Sequence, residues 1–160
     1  MAQRREACLG SGLCVVAALA VQGCSMASMV SGMESMAGLQ PALEGEMALR
    51  WAGGEETALT PEICLSGDRA NFRGVDLLAP PYVLRVVAEP LEGLGAAVID
   101  TESERRLVFR SSSCAVLRGD VQRGGWRVND IWDVSGYVEV DCRLTSGEEL
   151  EGRISFAHCH

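Results

Sequence analysis

Four kinds of side chain in this 160-residue chain have the chemistry for a functional site: cysteines, histidines, carboxylates and tryptophans. The cysteines are the most distinctive, because a thiol can form a disulfide, bind a metal or carry a covalent group. There are seven of them: Cys8, Cys14, Cys24, Cys64, Cys114, Cys142 and Cys159. The last four form an even set, which is typical of two disulfides in a protein outside the cytoplasm.

The first 24 residues set the other three cysteines apart. Arg4 and Arg5 form a basic head, a nine-residue apolar run extends over 13–21, and Gly23-Cys24 closes the segment. This is the pattern of a secretory signal peptide. The apolar run is too short for a membrane-spanning helix, which needs about 20 residues. The sequence therefore predicts export, with residues 1–23 as the signal peptide.

Val21-Gln22-Gly23-Cys24 resembles the lipobox of bacterial lipoproteins: an aliphatic residue, a variable position, Gly or Ala, then Cys. The resemblance covers the signal region alone, and the commonest lipobox has Leu and a small residue where Val21 and Gln22 stand. It implies that Cys24 is thioether-linked to diacylglycerol, carries acyl chains such as palmitate and becomes the first residue. In lipoproteins of a Gram-negative-type envelope, a residue other than Asp after the lipid-bearing Cys implies transport to the outer membrane, and Ser25 fits that rule.

A second cleavage point competes with the lipobox. Ala18-Leu19-Ala20 fits ordinary signal peptidase, which would release a plain secreted protein that begins at Val21. That product would keep five cysteines, with an exposed thiol near its N-terminus. Cleavage before Cys24 instead removes Cys8 and Cys14 and assigns Cys24 to lipid, so that the even set remains. The number of cysteines left after cleavage therefore favours the lipoprotein interpretation.

The charge balance excludes one class of partner. The net charge is −8, there is no lysine, and removal of residues 1–23 takes away two arginines and one glutamate, which makes it −9. Such an acidic domain lacks the excess of positive charge that binding to nucleic acid requires, and it is not attracted to anionic lipid head groups. We therefore expect attachment to the membrane through acyl chains on Cys24.

Residues 24–42 are interpreted as the lipidated N-terminus and a tether rich in Met and Ser. Five apolar residues recur there at spacings of three and four, which on a helix would form one stripe. They are Met26, Met29, Val30, Met33 and Met36. The serines and glycines between them weaken a helix and have linker composition. The alternative is a small amphipathic helix that lies on the bilayer or on a partner.

From residue 43 onward the hydrophobic pattern changes to period two, and no sustained helical periodicity follows. The predicted strands are 43–51, 70–78, 82–88, 96–99 and 106–110, followed by a meander of 114–122, 136–144 and 149–158. Short strands with Gly or Pro between them predict that residues 43–160 form one all-β domain, a small antiparallel β-sandwich or barrel. The four remaining cysteines would staple it with two disulfides.

Hairpin register limits how these cysteines can pair. A turn centred near Ser146-Gly147 places Cys142 opposite about residue 151, which leaves Cys159 about 27 Å away along its strand. Bridged Cα atoms lie within about 7 Å of each other, so Cys142–Cys159 is disfavoured.

The preceding hairpin suggests the partners. If 114–122 pairs with 136–144 through a connection near Asn129, Cys114 lies beside Cys142, and elimination joins Cys64 to Cys159. The third connectivity, in which Cys64 pairs with Cys142 and Cys114 with Cys159, stays open.

His158-Cys159-His160 is the cluster that most resembles a set of metal ligands. Alternate residues of a strand project to the same side, so both histidines could chelate together. A closed zinc site needs two further ligands, and Cys159 is better used in a disulfide. We therefore predict no metal, no cofactor and a terminal His pair in solvent.

No catalytic constellation is predicted, because the carboxylates lie at predicted turns and on predicted solvent faces, and no Gly-x-Ser-x-Gly motif is present. The domain is therefore expected not to be an enzyme.

Trp126, Arg127 and Trp132 are the candidate binding residues. They lie in the connection 123–133 between two meander strands, and Trp and Arg often dominate binding energy at interfaces. The even spacing of six would put both tryptophans on one face of an extended segment. The alternative is that one or both cap the edge of the core.

Together these features predict an outer-membrane lipoprotein that is a non-enzymatic binding or assembly component of an envelope complex, on either the periplasmic or the surface face. The expected partner is an envelope protein or a glycan. One alternative is a periplasmic inhibitor of a hydrolase, since small lipid-anchored β-domains with two disulfides include lysozyme inhibitors, although their motifs are not found here. A weaker alternative is a carboxylate-dependent hydrolase.

Overall fold

The computed structural model describes residues 41–91 and 93–160. The predicted signal peptide, Cys24, Ser25 and the methionine stripe of the tether lie outside the described residues. Within them the chain forms strands joined by turns and two short 3₁₀ helices, Gly67–Ala70 and Ser111–Ser113. The strands are β1 (Ala42–Arg50), β2 (Glu56–Leu59), β3 (Ile63–Ser66), β4 (Gly74–Ala79), β5 (Tyr82–Glu89), β6 (Gly93–Asp100), β7 (Arg106–Phe109), β8 (Cys114–Val128), β9 (Ile131–Arg143) and β10 (Glu149–Cys159).

These strands form two five-stranded antiparallel sheets. The first sheet has the order β2-β1-β10-β9-β8, and the second has the order β3-β4-β5-β6-β7. In the first sheet β1 pairs along its whole length with β10, so the beginning and the end of the domain lie side by side. The predicted all-β fold is confirmed, and two separate sheets make it a sandwich.

The period-two pattern explains the core, because alternate residues of each strand point between the sheets. Leu150, Ile154 and Phe156 of β10 are buried, as predicted. Val86 and Phe109 are among the side chains of the second sheet that meet them in the same cluster. Burying an apolar side chain of this size stabilises the fold by about 1.5–3 kcal/mol.

Two disulfides join these elements, and the pairing favoured by register is confirmed. Cys64–Cys159 links β3 to β10 and therefore one sheet to the other. Cys114–Cys142 links β8 to β9, where the two residues lie directly opposite each other. The hairpin register was predicted to within one residue, since Cys142 lies opposite Leu150.

Three details of the first half differ from the sequence predictions. β2 and β3, which are four residues long, were not predicted. The strand predicted at 70–78 begins only at Gly74, since Asn71 turns the chain with a left-handed φ of 58°. β1 ends one residue before Trp51, whose ring instead packs 6.4 Å from that of Tyr82.

The turn between β6 and β7 yields a prediction about pH. The Asp100 carboxylate accepts hydrogen bonds from the Ser103 hydroxyl at 2.6 Å and from the backbone N–H groups of Ser103 and Glu102 at 3.2 and 3.0 Å. The bonds from Ser103 lower the pKa of Asp100 below its ordinary value. A lowered pKa stabilises the fold above the unfolded-state pKa, about 3.9, and this stabilisation is lost as the pH falls through the folded-state pKa.

We therefore expect the thermal midpoint of the wild type to fall more steeply below about pH 4 than that of Asp100→Asn. Circular dichroism melts between about pH 6 and pH 2 measure this dependence. Glu104→Gln in the same turn is the control and should follow the wild type. Parallel curves for the wild type and Asp100→Asn would contradict the assignment.

Candidate functional site

The connection 123–133, predicted as an irregular loop, is the end of a β-hairpin. β8 continues to Val128 and β9 begins at Ile131. The turn residues Asn129 and Asp130 have φ of 49° and 66°, the left-handed region that Asn and Asp tolerate in tight hairpin turns. The loop prediction was wrong, because a register shift between Arg123 and Arg127 breaks the period-two pattern in this stretch. The predicted connection near Asn129 is confirmed.

This hairpin end extends past the neighbouring strand of its sheet. The pairing of β9 with β10 reaches Val134, opposite Cys159. Beyond that point the pairs found are those within the hairpin, Arg127 with Trp132 and Val128 with Ile131. The side chains there include two large exposed hydrophobic residues, since Trp126 is 60% and Val128 is 53% exposed.

The structure brings two of the three candidate binding residues together. The Arg127 guanidinium lies 5.4 Å from the centre of the Trp132 ring. Trp126 is separate from this pair, because the chain reverses at Asn129 and Asp130. The expectation that a spacing of six places both tryptophans on one face of an extended segment is therefore wrong. Trp126 is mostly solvent-exposed, and Trp132 is half-buried.

Trp132 and Arg127 line an open cleft of about 420 Å³ between the hairpin and the segment that follows β3. We call it the hairpin cleft. Its lining residues are Asp68, Asn71, Phe72, Arg73, Arg123, Arg127, Asp130 and Trp132. Three guanidinium groups and two carboxylates therefore face it, next to two aromatic rings. This is a local excess of positive charge on a chain whose net charge is −8.

Asp68 holds the two walls of the hairpin cleft together. One oxygen of its carboxylate lies 2.6 Å from a guanidinium nitrogen of Arg123. The other oxygen accepts a hydrogen bond of 3.3 Å from the backbone N–H of Trp132. The Asp68 side chain is only 14% exposed, so water screens this ion pair less than a fully exposed pair. The carboxylate thus fixes the hairpin to the 3₁₀ helix Gly67–Ala70.

Arg73 is an arginine of the cleft whose side chain takes no part in connecting the two walls. Its exposed side chain forms no ion pair or hydrogen bond with the described residues, whereas Arg123 pairs with Asp68 and Arg127 pairs with Asp130 at 3.1 Å. Because residues 70–78 were predicted as a strand, the turn that forms this wall of the cleft was not predicted. Gly67, Asn71 and Gly74 are turn signals that could have revealed it.

A buried carboxylate lies at the base of the hairpin. Asp133 is 2% exposed, and one of its oxygens lies 3.3 Å from Nδ1 of His158, while the other has no hydrogen-bond partner among the described atoms. A Cβ at Gly124 would come within 2.3 Å of this carboxylate, so a larger residue there would have to displace the Asp133 side chain. Gly124 in β8 therefore packs closely against the Asp133 side chain at the base of the hairpin.

The two C-terminal histidines pack against the domain. His158 is half-buried beside Asp133, and the backbone carbonyl of His160 accepts a hydrogen bond of 2.8 Å from Arg69. The expectation of a His pair in solvent is wrong, because β10 runs to Cys159 and the disulfide holds the chain end. Across 41–91 and 93–160, no three His, Cys, Asp or Glu side chains are placed to hold a metal ion.

One carboxylate departs from the predicted solvent position. Glu148 is only 6% exposed, accepts a hydrogen bond from the Ser146 hydroxyl and lies 3.9 Å from Arg105. The hydrogen bond from Ser146 lowers the pKa of Glu148 below its ordinary value. Glu149 forms ion pairs with Arg143 and Arg50, at 2.6 and 3.4 Å. The carboxylates of this turn therefore stabilise the hairpin between β9 and β10.

No protein-family model matches the chain, and neither curated proteins nor solved structures match it significantly. Within the described ranges, no helix has the length and hydrophobicity needed to cross a membrane. The hairpin cleft and the sequence of the N-terminal segment are therefore the features that bear on function.

Proposed function

We propose that the protein is an outer-membrane-anchored lipoprotein that serves as a non-enzymatic binding component of an envelope complex, and that the hairpin cleft is its contact site. The observation that carries the proposal is the Arg73 guanidinium, which has no ion-pair partner among residues 41–91 and 93–160 and lines an open cleft together with Arg127 and Trp132. The lipid anchor rests on the lipobox resemblance around Cys24. Its support is that the four cysteines downstream of Cys24 are all used in disulfides, which leaves no thiol among them unpaired.

The chemistry of the cleft indicates an acidic partner segment. A planar guanidinium binds a carboxylate through two parallel hydrogen bonds, and Arg and Trp are enriched among the residues that dominate interface energy. The exposed Trp126 and Val128 add apolar surface at the hairpin end. We therefore expect an envelope protein that presents a carboxylate next to an apolar side chain.

Two structural roles support a binding function over a catalytic one. Asp68 and Asp133 are the least exposed carboxylates around the hairpin, and both are engaged in contacts that hold the hairpin in place. The cysteines at 64, 114, 142 and 159 are oxidised and cannot act as nucleophiles.

Arg73→Ala is the sharpest test, because its removal breaks no ion pair or side-chain hydrogen bond with the described part of the chain. We expect recovery of the partner from solubilised envelopes to fall by about 30-fold, the equivalent of a hot-spot residue worth about 2 kcal/mol. The thermal midpoint should stay unchanged, since exposed substitutions away from structural contacts change stability by less than about 0.5 kcal/mol. Quantitative pull-down with the intact lipoprotein measures the first effect and calorimetry measures the second.

Arg106→Ala is the matched control, because Arg106 is also exposed and forms no ion pair with the described residues, but lies on β7 outside the hairpin cleft. Partner recovery with Arg106→Ala should equal that of the wild type. Equal recovery with both variants would remove the cleft as the contact site. If the pull-down instead captures a single hydrolase, if that capture requires Arg73, and if binding lowers the activity of the hydrolase, the result would favour the alternative function, a periplasmic hydrolase inhibitor.

A further inference from the structure

The outward faces of the two sheets differ sharply in chemistry. On the first sheet, cross-strand neighbours carry opposite charges. Arg50 pairs with Glu56 at 2.9 Å, and Glu139 pairs with Arg118 at 2.8 Å and with Arg153 at 3.5 Å. Such a face is well solvated and needs no cover.

The outward face of the second sheet is apolar. One row across the sheet consists of four directly paired aliphatic side chains, Ile63, Leu78, Val83 and Ile99, and ends at Arg106 on β7. The next row contains Leu65, Ala97 and Val108 around one ion pair, Arg85 with Asp76 at 2.8 Å, so the row adds no net charge. At the two edges Ile63 is 51% and Val108 is 44% exposed. We call these two rows the apolar face.

We propose that residues 25–39 of the same chain cover the apolar face. This segment carries Met26, Met29, Met33 and Met36 on one stripe if it is helical. Methionine is flexible and polarizable and fills irregular apolar surfaces well. The segment has a single charged residue, Glu34, so it brings little charge onto a face whose central charges, Arg85 and Asp76, pair with each other, and whose first row ends at Arg106.

The position where the described chain begins supports this occupant. Ala42 pairs with Ala157 on β10, and Cys159, two residues further, is bonded to Cys64, the neighbour of Ile63. The chain therefore leaves the domain beside the edge strand of the apolar face. Five strands span about 19 Å from first to last, and the 16 residues from 25 to 40 reach about 54 Å when extended. The segment is long enough to cross the whole face.

The proposal does not depend on lipidation of Cys24. If Cys24 is lipidated, the cover shortens the free tether and holds the domain close to its anchor. The hairpin cleft and the apolar face share no residue, although Arg85 of the face lies 4.5 Å from the centre of the Phe72 ring of the cleft. The two proposals are tested by different variants and different measurements, so a failure of one leaves the other intact.

The test measures oxidation of methionine by hydrogen peroxide. The chain from residue 24 with Cys24→Ser contains all the described strands and is kept in buffer without lipid or detergent. Mass spectrometry follows the four methionines of the segment, with the buried Met47, 1% exposed, as the protected reference. We expect these four to oxidise at least about tenfold more slowly than in a free peptide of residues 25–41.

Val83→Glu places a charge in the centre of the apolar face and should raise the oxidation rate of the segment to that of the peptide, while Met47 stays protected. Ile63→Glu, at the exposed edge, is the second variant in case Val83→Glu does not fold. Ala48→Glu on the outward face of the first sheet is the control and should change nothing. Peptide-like rates in the wild type would overturn the proposal. So would protection that disappears on dilution together with a dimer in sedimentation, since a second copy would then be the occupant.

Discussion

Replacing both Cys64 and Cys159 by serine is expected to lower the free energy of unfolding by about 4–5 kcal/mol in the chain-entropy model. The two cysteines are 95 residues apart, so their bond removes more freedom from the unfolded chain than any short link would. The same bond joins the two sheets, and both residues are almost fully buried. Since a domain of this size is stable by only about 5–15 kcal/mol, this loss is a large share of the total stability, and we expect the thermal midpoint to fall accordingly.

The second disulfide is the matched control for this prediction. Cys114 and Cys142 are 28 residues apart, so their double serine variant should lose about 1 kcal/mol less than the first. Urea unfolding followed by tryptophan fluorescence, without reductant, measures both. A larger loss for the Cys114 and Cys142 variant would show that local packing outweighs loop closure. The reduced wild type should be less stable than either variant.

Cys24→Ala is expected to abolish attachment to the membrane. Burial of acyl chains contributes about 0.8 kcal/mol per CH₂, so several chains hold a lipoprotein on the membrane without exchange. Without the thiol, we expect either uncleaved precursor or, after cleavage at Ala20, a soluble protein. Labelling with a palmitate analogue and fractionation of the envelope measure this result.

The control for that experiment is Cys14→Ala, which keeps Val21-Gln22-Gly23-Cys24 intact and should be labelled and anchored like the wild type. A wild-type protein whose N-terminal peptide begins with an unmodified Val21 would contradict the lipoprotein assignment and support a plain secreted protein.

The sequence predicted inward residues and register best where the period-two pattern runs for six residues or more. The strands from residue 136 to 144 and from 149 to 158 alternate cleanly, so their inward residues and their register followed from the pattern alone. That register disfavoured a bond between Cys142 and Cys159, and the pairing of 114–122 with 136–144 placed Cys114 beside Cys142. The same logic failed for β2 and β3, which are four residues long.

The candidate site was only half predictable, because its second wall comes from a distant part of the chain. Trp132 and Arg127 stood out by residue type. Asp68 did not, since its contacts are 55 and 64 residues away, with Arg123 and Trp132. The end of the hairpin was assigned as a loop because the shift between Arg123 and Arg127 interrupts the alternation. Contacts between the sheets carry no local signature, so sequence patterns cannot assign them.

Photo-cross-linking in intact envelopes tests the central claim, binding through the hairpin cleft, most directly. A photoreactive amino acid replaces Val128 at the hairpin end, or, as a control, Leu91 in the turn between β5 and β6, which is 98% exposed. We expect a discrete cross-linked product from position 128 that is absent from position 91 and is lost when Arg73→Ala is added. No product from position 128, or the same product from both positions, would contradict binding through the hairpin cleft.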